Sequence, residues 1–104
     1  WTELTNYLGS NAGSQLAGRA DLWYDGNLEN NAAFGTSGFN GLPGGFRSSS
    51  SGYYGYVSNY SFFWSSTVYS DANAWNRLLY CLYSDVDRNN LTKRSGFSLR
   101  CVRD

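Results

Sequence analysis

An α+β domain of short helices, a small antiparallel sheet and much irregular loop is what this sequence predicts. Leu4, Tyr7 and Leu8 recur at helical spacing and stop at Gly9, whereas Phe62 to Thr67 and Ala74 to Tyr83 have the ring content and alternation of strands. Twelve Gly, one Pro and many Ser and Asn cut the rest into short pieces joined by turns. At 104 residues the chain is one domain or part of one. It has room for a single modest core that buries roughly two-thirds of the unfolded surface.

Taken in order, Thr2 to Leu8 reads as the end of an amphipathic helix that starts upstream and is capped by Gly9. From Ser10 to Gly45 the isolated rings Trp23, Phe34 and Phe39 are expected to pin loops and short strands. Leu42-Pro43-Gly44-Gly45-Phe46-Arg47 is a turn entering a strand. Arg47 to Ser61 has the Ser/Gly composition of a linker, but Tyr53, Tyr54, Tyr56 and Tyr60 argue for an ordered segment leading into the Phe62 strand.

In the next strand, Ala74 to Tyr83, a period of two puts Trp75, Arg77, Leu79, Cys81 and Tyr83 on one face and Asn76, Leu78, Tyr80 and Leu82 on the other. Ser84 to Ser95 is polar and reads as a turn or long hairpin loop. Gly96 to Val102 reads as a closing strand with Phe97, Leu99 and Cys101 on one side. No repeat of 20 to 50 residues is present.

Net charge is zero, so no electrostatic footprint argues for nucleic acid, although Arg94, Arg100 and Arg103 make the C-terminus locally basic. No apolar run approaches the roughly 20 residues that span a bilayer, so direct membrane insertion is not expected. Trp1 in place of an initiator Met is what a processed chain or a fragment would show, and an export signal could have been removed. Cys81 and Cys101 are compatible with a mutual disulfide, with two free thiols, or with a bridge to sequence not present here.

Catalysis is poorly supported. The absence of His removes the imidazole base and the usual zinc site, and Gly35-Thr36-Ser37-Gly38 does not fit a nucleophile elbow. Asp85 and Asp87 are the one close carboxylate pair, and on an exposed loop they read as solvated charges. Asp85-Val86-Asp87-Arg88-Asn89 opens like a calcium loop, but Asn90 stands where the sharp-turn Gly belongs and Gly96 where a bidentate Glu is needed. No catalytic residue, metal or cofactor is therefore expected. Asn59-Tyr60-Ser61 and Asn90-Leu91-Thr92 fit the glycosylation pattern, which matters only in a glycosylating host.

The stretch 76–94 points elsewhere. Tyr80, Leu82, Tyr83 and Leu91 stand among Asn76, Asp85, Asp87, Thr92 and Arg94, and burying that polar set would cost several kcal/mol per stranded group. A partly exposed mixture of Tyr with short polar residues is what a binding face uses. The phenol rings give rigid contact area, and the polar groups give adaptable hydrogen bonds.

Leu42-Pro43-Gly44-Gly45-Phe46-Arg47, Phe63-Trp64-Ser65-Ser66-Thr67, Asn73-Ala74-Trp75 and Gly96-Phe97-Ser98-Leu99-Arg100-Cys101-Val102-Arg103-Asp104 together resemble the Fibrobacter succinogenes major paralogous domain. The blocks occur in order from Trp1 to Asp104. The resemblance implies the formylglycine-generating-enzyme-like branch of the C-type lectin fold. It also implies a ligand-binding domain that lacks its N-terminal segment, including an upstream Cys that would pair with Cys101.

Some members of this group are variable proteins of diversity-generating retroelements, in which adenine-directed mutagenesis rewrites codons near the C-terminus. By that likeness Ala74, Trp75, Arg77, Leu79, Val86, Arg88, Lys93, Gly96 and Phe97 are framework. Asn76, Leu78, Tyr80, Cys81, Leu82, Tyr83, Asp85, Asp87, Leu91, Thr92, Arg94 and Ser95 match diversified positions. Changing the adenines of AAC or AAT never produces Lys, Gln, Glu, Met or Trp, and none of the twelve positions holds one of these. The active-site cysteines of the formylglycine-generating enzymes and the calcium-dependent sugar motifs of animal lectins are not matched.

The expectation is thus a single non-catalytic domain over 1–104, secreted or displayed on a cell or phage surface. Its binding face would comprise Asn76, Leu78, Tyr80, Leu82, Tyr83, Asp85, Asp87, Leu91, Thr92 and Arg94. The ligand would be a protein or glycan on another cell or host surface. The rival readings are a structural pilus, tail-fibre or surface-layer module, and a carbohydrate-binding module of a secreted hydrolase that stacks sugars on Trp75 or Tyr69.

Overall fold

The computed structural model describes residues 1–100, so Cys101 and Val102 of the expected closing strand lie outside the described residues. The elements run α1 (Thr2–Leu8), α2 (Ala12–Leu16), a 3₁₀ turn (Ala20–Leu22), α3 (Asn27–Asn30), β1 (Phe46–Arg47), β2 (Tyr54–Gly55), β3 (Tyr60–Val68), β4 (Asn73–Tyr80) and β5 (Asp87–Thr92). β1 and β2 form a two-stranded antiparallel sheet, and β3-β4-β5 form a three-stranded antiparallel meander. The architecture is α+β.

The helix ending at Gly9 forms as expected: Gly9 sits at φ 68 and donates its N–H to the Thr5 carbonyl. The region 10–45 differs from expectation. It folds into α2, the 3₁₀ turn and α3, with only isolated bridges, Ala17 to Gly41 and Gly45 to Ser61, where short strands were expected. Side-chain and backbone polar groups explain the choice. Ser14 Oγ donates to the Leu28 carbonyl at 2.7 Å, and Gly35 N–H donates to the Ser14 carbonyl at 2.9 Å, so the helices satisfy one another without a ladder. The anchoring role of the rings is as expected: Trp23 is buried and donates Nε1–H to the Gly18 carbonyl, while Phe34 and Phe39 pack on the core.

The polar stretch after β4 contains a strand rather than only a loop. Asp87–Thr92 pairs along β4 from Leu78 to Asn73, and its polar composition suits a position at the edge of the sheet, where one face meets water. Conversely, Gly96–Ser98 makes only isolated bridges, Gly96 to Arg47 and Ser98 to Phe63. Phe97 stacks on Phe62, but Leu99 is 74% exposed, so the two do not share one buried side.

The register defines two faces. Ser61 and Phe63 on β3 and Trp75, Arg77 and Leu79 on β4 share one face; Tyr60, Phe62 and Trp64 share the other with Asn76, Leu78 and Tyr80. The first face meets the helices. Phe63 and Leu79 join Leu16, Ala17, Trp23, Leu28 and Cys81 in the core. Trp1, Phe39 and Phe63 meet there with ring centroids 5.6 to 5.7 Å apart, and Trp1 Nε1–H donates to the Trp64 carbonyl at 3.1 Å. Buried Arg77 donates to Thr2 Oγ1 at 3.1 Å, tying α1 to the sheet.

Candidate functional site

Among the described residues no helix packs on the second face of the sheet. Along β3 the rings of Tyr60, Phe62 and Trp64 recur every second residue, and neighbouring elements extend them into one lattice. Phe97 lies 4.7 Å from Phe62 and 4.2 Å from Trp64, Tyr80 stacks on Tyr60 at 4.4 Å, and Tyr83 meets Tyr80 edge-on at 5.2 Å. Phe46 and Tyr56 close its other side at 5.4 Å from each other. Each of these eight rings remains at least partly accessible. Burial above all, and then the neighbouring Tyr80 hydroxyl, pushes the Tyr60 phenol above its ordinary pKa, which keeps it a neutral hydrogen-bonding group.

Beside the lattice the turn 81–86 is held by its main chain. Cys81 N–H donates to the Asn59 carbonyl at 2.9 Å, the Cys81 carbonyl accepts from Leu28 N–H at 3.1 Å, and the Ser84 carbonyl accepts from Ser14 N–H at 2.9 Å. Gly13 and Gly26 permit this approach. A Cβ on Gly13 would lie 2.5 Å from the Asp85 carbonyl oxygen, and one on Gly26 would collide with the Cys81 carbonyl. Leu82 and Tyr83, 45% and 57% exposed, project from a fixed backbone without anchoring it.

The ten residues expected to form the binding face do not come together as one patch. Leu78, Tyr80, Leu82, Tyr83 and Asp87 cluster at one end: Leu78 sits between Phe62 and Asp87 in the register, and Tyr80 belongs to the ring lattice. Because 87–92 is a strand, Leu91 and Arg94 are carried to the opposite end of β4. At about 3.3 Å per residue that is roughly 20 Å away. Leu91 pairs with Ala74 on the open face, whereas Thr92 pairs with Asn73 and so lies on the other face, with Trp75. Arg94 is exposed in the turn after β5. Asp85 is exposed, but its carboxylate accepts the Asn11 N–H at 2.9 Å and thereby tethers the turn to the start of α2.

Asn76 is the clearest correction. It lies on the helix-free side of β4, between Trp64 and Asn89, but is 0% exposed, and among the described residues neither its amide nitrogen nor its oxygen has a hydrogen-bond partner. A ligand cannot reach it as the surface stands. A buried, unpaired amide is destabilising. Asn76→Leu is expected to raise the stability by about 1 kcal/mol in chemical denaturation; a loss instead would reveal a partner for the amide.

Cys81, also among the twelve matched positions, is a buried free thiol 3.5 Å from Asn59 Oδ1. Burial raises its pKa. Tyr83 was expected on the face of Leu79, but β4 ends at Tyr80 and a turn, Tyr83 N–H to Tyr80 carbonyl at 3.0 Å, swings it onto the ring lattice. Trp75 has the Arg88 guanidinium 3.6 Å over its ring and Tyr69 at its edge, so one stacking surface is already covered.

Tyr60, Phe62, Trp64, Phe46, Tyr56 and Phe97 were not expected as site residues. The alternation of Tyr60, Phe62 and Trp64 was the available signal, since a strand with rings at every second position presents them on one face.

Comparison with known families agrees with the motif blocks read from the sequence. The model of the Fibrobacter succinogenes major domain matches residues 1–103. The chain belongs to this family. No curated protein and no solved structure matches it. In this member of the major-domain family, the motif residues Gly96 and Phe97 place the C-terminal segment: Gly96 bridges to Arg47, and Phe97 caps the ring lattice between Phe62 and Trp64.

Proposed function

We propose that this is a non-catalytic ligand-binding domain of C-type-lectin-like fold, of adhesin or receptor-binding type, that contacts a protein or glycan on another surface. The contact area is the Tyr80 and Tyr83 end of the ring lattice, with Leu78, Leu82 and Asp87 around it. The observation that carries this reading is the ring lattice that ends in the exposed Tyr83 beside a turn whose backbone is fixed. Rigid aromatic area costs little entropy to order, and Tyr is enriched where binding energy concentrates. Retroelement diversification belongs to the same reading, because Leu82, Tyr83 and Asp87 can change without removing any contact that holds the turn.

Two experiments test it. In the source genome, a near-copy of the DNA encoding 62–104 that differs at adenines and lies beside a reverse transcriptase gene supports diversification; its absence removes that part alone. For binding, the domain is applied to a glycan array and to intact cells of co-resident species. Tyr83→Ala is expected to lower the signal about tenfold or more with little change in melting temperature. Tyr80→Ala is expected to lower both, costing about 1 to 2 kcal/mol because its ring is stacked. Unchanged binding in both variants would place the contact surface elsewhere.

A further inference from the structure

β5 ends the three-stranded sheet, and among the described residues no strand pairs with its outer side. Lys93 N–H donates to the Ala72 carbonyl at 2.9 Å and continues the ladder in which Leu91 stands opposite Ala74 and Asn89 opposite Asn76. Backbone groups alternate in direction along an antiparallel pair. Those of Asp87, Asn89, Leu91 and Lys93 therefore turn toward β4, and those of Arg88, Asn90 and Thr92 turn outward. The Thr92 carbonyl meets only the Ser95 N–H of the following turn, at 3.0 Å, and Asn90 N–H donates to the neighbouring Asn89 Oδ1 at 2.8 Å. The side chains that could guard this edge are drawn inward: the Arg88 guanidinium lies 3.6 Å over Trp75, and Asn90 Oδ1 accepts from Asn73 Nδ2 at 3.1 Å.

An open edge of this kind pairs with an extended strand, and the charges along it select which. Asp87 at its start and Lys93 just past its end are both exposed, and among the described residues neither forms an ion pair. Their even separation puts both on the open face, with Leu91. If a second copy of β5 lies antiparallel with Asn90 opposite Asn90, then Arg88 falls opposite Thr92, Asn89 opposite Leu91 and Asp87 opposite Lys93. The outward groups of 88–92 then all face one another, and the two-fold axis forms the Asp87–Lys93 pair twice. Sliding one copy by a ladder step in either direction sets Asp87 opposite Leu91 or Arg88 opposite Arg94, so charge fixes the register.

We propose that the outer edge of β5 is a homodimer interface, through which two copies of this chain join their sheets in that register. Opposite residues of an antiparallel pair share a face, so both ring lattices look out from the same side of the joined sheet. Such a dimer presents two contact surfaces to one target, and the second engages at a raised effective concentration. That gain rests on the proposed Tyr83 surface; the dimer itself does not.

The test is sedimentation velocity of the ligand-free domain in reducing buffer, from about 5 µM to about 1 mM, with NMR spectra over the same range. One strand pair is smaller than a standard interface, so a dissociation constant of about 100 µM is expected, with concentration-dependent shifts at the amides of Arg88, Asn90 and Thr92. Asp87→Lys or Lys93→Asp alone sets like charges opposite each other at both ends of the interface. Each is expected to weaken the dimer about tenfold or more, and the double swap D87K/K93D to restore it. Both side chains are exposed, so the melting temperatures of the variants should stay near that of the parent. A domain that is still monomeric at about 1 mM, a dimer that the single reversals leave unchanged, or a double swap no tighter than the singles would each overturn the proposal. Shifts confined to Tyr80 and Tyr83 would do the same. Self-association is read without any ligand, so failure of the Tyr83 surface to bind cells is a separate result.

Discussion

Gly26→Ala is expected to lower the stability by about 3 kcal/mol, a large share of the 5 to 15 kcal/mol typical of a domain. The backbone of Gly26 is extended, at φ 173, which any residue adopts, so the obstacle is steric and not torsional. The added methyl would collide with the Cys81 carbonyl oxygen and lie 2.8 Å from the Cys81 carbonyl carbon, and both of those atoms are backbone. Either α3 or the turn 81–83 must move. The Leu28 N–H to Cys81 carbonyl bond is then lost along with the placement of Tyr83. Gly38→Ala provides the contrast: Gly38 has open space around its Cβ position but sits at φ 76, so only about 1 kcal/mol of left-handed strain is expected. Denaturant midpoints of the two variants check this. Equal costs would mean that the turn yields easily and that its backbone is not the fixed platform described above.

Leu79→Ala should cost about 3 to 4 kcal/mol, whereas Leu78→Ala, one residue earlier, should cost about 1 kcal/mol. Leu79 is 1% exposed and packs with Leu16, Leu28 and Phe63, while Leu78 is half-buried on the open face beside Phe62. Truncating Leu79 leaves a void that the surrounding helices and sheet cannot fill, and water takes up most of the space left by Leu78. The ratio of the two costs, read from urea or guanidinium unfolding, tests the facing of β4. A reversal would put the ring lattice on the core side and remove the proposed contact surface.

Much of the fold could be read from local signals. The end of α1 at Gly9, the turn into β1, the ring-rich strand β3 and the alternation of β4 follow from propensity and period, because neighbours along the chain impose those conformations. β5 could not be read that way. Asp87-Arg88-Asn89-Asn90 has the composition of a loop, and it extends only because β4 offers a row of backbone hydrogen bonds at the sheet edge. The helices between 12 and 30 were hidden for a similar reason, being too short to hold themselves without the contacts that Ser14 and Leu28 make.

The candidate site divides along the same line. Sequence by itself determined the family blocks, the α+β class and the presence of Tyr80, Leu82 and Tyr83 in a segment mixed with polar residues, since these depend on which residues occur and at what spacing. Tertiary structure alone decided that Asn76 is buried, that Thr92 turns to the other face, that Leu91 and Arg94 lie far from Tyr83, and that Arg47 pairs with Gly96. Those facts depend on strand register and on approaches between segments distant in the chain, such as the 49 positions that separate Arg47 from Gly96. A period of two assigns a residue to a side of its own strand. Which side meets helices and which meets water is decided by what packs against it.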